Sequence, residues 1–148
     1  MKGERPRRRL LHDEGELVLV QLMRVSEQVL KAFNDFFRAH GLTAAQYNVL
    51  RILEGAEGPL PQQEIARRLL VSRANVTGLI DRLEARGLVE RRACADRRVR
   101  MVHLTAQGLR FVEETFEAVT ALCAVLLKRL SLEELQALRG LLLKLEGA

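Results

Sequence analysis

The chain has 148 residues, 48% of them apolar but only 4% aromatic, with no tryptophan. That is enough for one domain with an aliphatic core, and no stretch reaches the ~18 unbroken apolar residues of a membrane helix. The net charge of +5 is localised, because residues 60–104 hold ten arginines against five acids and the remainder is neutral, the footprint expected of a polyanion-binding segment on a neutral body.

Residues 1–15 read as a flexible basic arm. Its opening, MKGERPRRRLL, runs into acidic residues rather than an apolar run and a small-residue cleavage site. It is therefore not expected to be a signal peptide, and the protein is expected to be cytoplasmic. From Glu16 to Ala39 the pattern is helical, with Met23, Ser26, Leu30, Phe33 and Phe37 on one line. Leu22, Val25, Val29 and Phe36 widen that stripe to almost half the circumference, more than a peripheral helix buries. His40-Gly41 ends it.

Thr43-Ala44-Ala45-Gln46 is a capping box opening a helix through about Glu54. Gly55 to Pro61 reads as a turn-rich break, and a short helix is expected from Gln62 to Leu69. Ser72 is placed as the N-cap of the next helix. There Val76, Leu79, Ile80 and Leu83 form the core stripe, and Gly87 lies just past the end.

Leu88–Ala93 and Val99–Leu104 are short alternating or β-branched runs that predict a hairpin, with the arginine-rich stretch at its tip. Thr105 caps a long helix whose expected stripe is Leu109, Val112, Phe116, Val119, Cys123, Leu126, Leu127 and Leu130. Phe111, Leu122 and Val125 lie off that stripe and suggest a second apolar face. Ser131-Leu132-Glu133-Glu134 is another capping box, and the last helix aligns Leu135, Leu138, Leu141, Leu142 and Leu145 on one side. Two helices joined by a tight turn and followed by a hairpin make a winged helix-turn-helix. The expected fold class is mainly α (α+β).

The inward stripe of "SRANVTGLIDRLEARG" leaves Ser72, Arg73, Asn75 and Thr77 exposed on its first turns. Front-end residues of the second helix in such a pair reach base edges in the major groove. Asn can pair with adenine, Arg with guanine, and a Thr methyl can touch thymine. Ser, Thr and the backbone N–H groups of a helix start suit phosphates. "ERRACADRRVR" at residues 90–100 holds five arginines in eleven positions. Such crowding is tolerable where phosphates neutralise it, and Asp96, Arg97 and Arg98 at the tip would reach a minor groove or its backbone.

On "VSRANVTGLIDRLEARGLVER", then Asp96-x-Arg98, then Leu104-Thr105-x-x-Gly108, the sequence resembles the MarR family of winged helix-turn-helix transcriptional regulators. The flanking helices match from about residue 16 to 146. The resemblance implies one domain over 16–148. Residues 16–41 and 106–148 would form a helical dimerisation layer, and 42–105 the DNA-binding lobe. It implies a homodimer on a pseudo-palindromic double-stranded operator, usually as a repressor of a nearby promoter. Many such proteins release DNA on binding a small, often aromatic, anionic effector in a cleft between the layer and the lobe. Ser72, Arg73, Asn75 and Thr77 take the recognition-helix roles, and Asp96 and Arg98, helped by Arg97, the wing roles. Pro61 replaces a frequent Thr or Ser cap, and Leu70 a frequent turn glycine.

Two other readings stand beside this one. A winged-helix module could bind a protein without reading bases, although such a face would more often present aromatic or Met anchors than Asn75 and Thr77. A thiol-based stress sensor could use Cys94, whose cationic neighbours would lower its pKa. Cys123 is expected in the core. His12, His40 and His103 are scattered without metal-ligand spacing. No nucleophile motif or phosphate loop appears, so neither enzyme chemistry nor a cofactor or metal is expected.

Overall fold

The computed structural model describes residues 14–69, 73–93 and 99–147. Those residues are mostly helical, with a three-stranded antiparallel sheet. The chain divides into two compact units between Tyr47 and Asn48.

In the first unit, α1 (Glu14–Arg38) begins two residues before the expected start. It ends in a Schellman motif: Gly41 takes φ 67°, its N–H donates to Arg38 O, and the Leu42 N–H donates to Phe37 O. The Thr43 capping box is present. Its hydroxyl accepts from the Gln46 N–H at 3.2 Å, and Gln46 Oε1 accepts from the Thr43 N–H at 2.8 Å. These bonds start α2 (Ala44–Glu54). The Ala44 N–H also donates to Asn34 Oδ1 at 2.9 Å, tying the start of α2 to the end of α1. Phe37 is fully buried between the edge of Phe36, at 4.9 Å between centroids, and the face of Tyr47, at 4.2 Å. The aromatic end of α1 is thus packed, while Leu19, Met23 and Leu30 nearer its start are exposed.

The second unit follows the expected order with one addition. β1 (Leu60–Pro61) lies where only a turn was expected. It pairs with β3 (Arg100–Leu104) in the register Leu60↔Val102 and Pro61↔Met101. A two-residue strand is too short to show alternation, and Pro is tolerated there because β1 is an edge strand. β3 also pairs with β2 (Val89–Ala93), from Val89↔Leu104 to Ala93↔Arg100, confirming the hairpin. α3 (Gln62–Leu69) and α4 (Arg73–Ala85) precede β2. Ile65, Val76, Ile80, Leu83, Val89 and Val102 are buried, so both helices and the sheet contribute to one core. A second Schellman motif ends α4 at Gly87, φ 68°, with the Leu88 N–H on Leu83 O.

α5 (Ala106–Leu127) starts at the expected cap, with Thr105 Oγ1 accepting from the Gly108 N–H at 3.0 Å. The same hydroxyl donates to Gly87 O at 2.6 Å, and the Thr105 N–H donates to Leu88 O at 3.2 Å. The buried face differs from the expected stripe. Gly108, Val112 and Thr115 are buried, Phe111 and Leu122 are half-buried, and Leu109 and Phe116 are exposed. The buried side includes Gly108, where a Cβ would lie 2.1 Å from Leu88 O. Lacking one, the start of the helix packs its backbone against Leu88, in the turn between α4 and β2. Thr115 is accommodated because its hydroxyl donates to Phe111 O at 2.8 Å. Cys123, expected in the core, is only half-buried. α6 (Leu132–Glu146) has the expected Ser131–Glu134 capping box but no buried residue, and all its leucines except the half-buried Leu135 are exposed. No described helix is long and apolar enough to cross a membrane.

Candidate nucleic-acid interface

The face of α4 is set by its apolar spacing. Val76, Ile80 and Leu83 are fully buried at i, i+4 and i+7. Asn75 and Thr77 are exposed on the two flanks of that stripe, as are Gly78, Asp81 and Arg82 around the outer side. Arg73 is the first residue of the helix. Ser72, Cys94, Asp96, Arg97 and Arg98 lie outside the described residues, as does Leu70. Asn75 and Thr77 are exposed, as expected from the sequence, one on each flank of the buried stripe.

Four residues that sequence reasoning left out join this face to its neighbours. Arg91, on β2, sets Nη2 2.6 Å from Asp81 Oδ1 and Nη1 2.6 Å from Glu84 Oε2. Its backbone N–H donates to Glu84 Oε1 at 2.8 Å, and Nη2 reaches Thr77 O at 3.3 Å. Nε donates to Gln62 Oε1 at 3.4 Å, and the Gln62 amide nitrogen in turn donates to Thr77 Oγ1. Arg91 thereby links α3, α4 and β2, and its side chain is only 15% exposed.

For two of the five arginines this corrects the expectation that phosphate neutralises the crowd, while Arg97 and Arg98 lie outside the described residues. Arg91 is neutralised inside the protein by Asp81 and Glu84, and Arg92 is paired with Glu90. The available signal was the i, i+3 placement of Asp81 and Glu84 on one helical face just before a basic strand. Thr77 is likewise more constrained than expected, since Gln62 holds its hydroxyl.

On α3, Glu64 holds two further arginines, Arg67 at 2.7 Å and Arg68 at 2.8 Å. Hydrogen bonds from Arg67 and then Arg68 hold the Glu64 carboxyl down at about 2. Beside it, a cleft of about 630 Å³ opens between the start of α3 and β3, lined by Pro61, Gln62, Gln63, Glu64, Arg67, Val99 and Arg100. Among the described residues no group of three or more His, Cys, Asp or Glu could hold a metal ion.

A sequence model of the MarR family matches residues 40–98. The HTH-type transcriptional regulator PapX of Escherichia coli is 35% identical over 101 residues, 66% of this chain. The match spans 62% of PapX's own length. Among solved structures, Bordetella bronchiseptica BpsR, studied for regulation of its DNA binding by 6-hydroxynicotinic acid, is 30% identical with a TM-score of 0.81, covering 88% of this chain and 98% of that one. A mutant E. coli MarR complexed with operator DNA is 28% identical with a TM-score of 0.82, covering 92% and 98%. Fold, motif order and sequence agree: the chain belongs to the MarR family.

Proposed function

We propose that the protein is a dimeric, sequence-specific DNA-binding transcriptional regulator, a repressor of a nearby promoter released by a small aromatic anion. The observation that carries this reading is the exposed front of α4, which presents Asn75 on one flank and Thr77 on the other beside a hairpin tied to the same helix by Arg91. Asn75 reads a base edge and Thr77 presents its methyl group, since Gln62 occupies its hydroxyl. Ser72 and Arg73 take phosphate and base contacts at the helix start, and Asp96, Arg97 and Arg98 work at the wing. The reading is supported by the operator complex of E. coli MarR. The effector class is supported by the action of 6-hydroxynicotinic acid on BpsR. The protein acts by binding, in the cytoplasm, and not by catalysis.

The dimer is inferred from faces that a single chain leaves in water. α6 carries Leu138, Leu141, Leu142 and Leu145 with none buried, and α1 exposes Leu19, Met23 and Leu30. Apolar surface of this extent marks an interface, and a second copy related by a two-fold axis covers it. Two recognition helices then face one side of the duplex. In vitro selection from a random-sequence pool should enrich an inverted repeat with half-sites ~34–36 Å apart, one helical turn. Its affinity should fall steeply with salt. Failure to enrich any sequence, or binding indifferent to salt, would contradict the proposal.

A further inference from the structure

Arg91 has the look of a DNA-facing cation in the sequence and the contacts of an internal brace in the fold. Its guanidinium meets acceptors on α3 (Gln62 Oε1) and α4 (Thr77 O, Asp81 Oδ1 and Glu84 Oε2) while its own backbone sits in β2. The backbone N–H reinforces the same link through Glu84 Oε1. A planar, multi-donor group spanning three elements fixes their relative angle better than a flexible ammonium would. Its charge is already spent, since two carboxylates face one guanidinium.

We propose that Arg91 is a positioning residue that sets the angle of the wing to the recognition helix, with Asp81 and Glu84 as its anchors, and that it contributes no phosphate contact of its own. The proposal rests on the DNA-binding reading for its functional consequence, but not for the brace itself. Both single-element partners matter. Removing Arg91 frees the hairpin and leaves two uncompensated carboxylates on α4. Removing the carboxylates frees the hairpin while making the lobe more positive. A phosphate-contacting Arg91 would give opposite results for these two changes, whereas a brace gives the same result.

The test compares Arg91→Met with the double variant Asp81→Asn, Glu84→Gln in the full-length protein, with Arg91→Lys as a conservative check. Hydrogen exchange on the free protein should show β2 and β3 losing protection in Arg91→Met and in the double variant, with α5 and α6 unchanged. On a duplex selected by the wild-type protein, both variants should bind about tenfold or more weakly. The salt slope should stay at the wild-type value, and Arg91→Lys should recover only part of the loss. Unchanged wing protection would overturn the brace. Tighter binding by the double variant, or a slope shallower by about one in Arg91→Met, would show a phosphate contact instead. If the wild-type protein selects no DNA, the regulator reading fails on its own, and the exchange data still decide whether Arg91 braces the wing.

Discussion

Replacing Gly108 by alanine tests how α5 is seated. The new Cβ would lie 2.1 Å from Leu88 O, 2.8 Å from Leu104 Cδ1 and 3.1 Å from the Leu88 carbonyl carbon. The leucine methyl can swing aside, but the carbonyl is backbone and must retreat by roughly 1.2 Å to reach ordinary C···O contact. That carbonyl accepts the Thr105 N–H at 3.2 Å, and the neighbouring Gly87 carbonyl accepts Thr105 Oγ1 at 2.6 Å. Overpacking of this kind costs about 1–3 kcal/mol, and losing the two hydrogen bonds adds about 1 kcal/mol each. The better helix propensity of alanine returns at most about 1 kcal/mol. Gly108→Ala should therefore destabilise by about 2–4 kcal/mol, because the steric and hydrogen-bond costs outweigh propensity. Gly78, with nothing within 4 Å of its would-be Cβ, is the control. Gly78→Ala should stabilise by roughly 0.5–1 kcal/mol. Urea unfolding followed by circular dichroism, at one fixed protein concentration, measures both. A Gly108→Ala protein as stable as wild type would refute the close seating of α5 on Leu88.

Two further outcomes follow from the exposed leucines and the Glu64 cluster. Static light scattering at micromolar concentration should give twice the chain mass for wild type, and Leu138→Glu with Leu142→Glu on α6 should abolish the dimer; a folded wild-type monomer would contradict the proposed interface. The Glu64 carboxyl lies below its ordinary 4.5, at about 2, so its contribution is fully present above 4.5 and is lost as pH falls toward 2. A carbon-detected NMR titration should find that low midpoint, and Arg67→Gln should raise it; a midpoint near 4.5 with Arg67 intact would remove the cluster.

What the sequence discloses here is what local physics decides. The capping boxes at Thr43 and Ser131 and the glycine stops at Gly41 and Gly87 were legible because each is settled within six residues by its own hydrogen bonds. The exposure of Asn75 and Thr77 was legible too, because burying Val76, Ile80 and Leu83 leaves both flanks of α4 outside. The buried side of α5 was not. Its hydrophobic stripe nominated Leu109 and Phe116, yet the side that packs in this chain carries Gly108 against Leu88, a contact between residues 20 positions apart. β1 escaped notice because its two residues take their identity from Val102 and Met101, some forty positions on. Arg91 was misread because spacing pairs Asp81 with Glu84 on α4, while only tertiary packing brings Arg91 and Gln62 to them.

The measurement that bears most directly on the proposed function titrates Asn75→Ala and Arg98→Ala against a selected operator and an unrelated duplex at several salt concentrations. Arg98→Ala should weaken binding to both DNAs by similar factors and make the salt slope shallower by about one, as expected for a contact with backbone or minor groove. Asn75→Ala should cost about 1–3 kcal/mol on the operator and much less on unrelated DNA, with specificity relaxed at one or two base pairs. Equal losses on both duplexes for Asn75→Ala would mean that the exposed front of α4 is not reading bases.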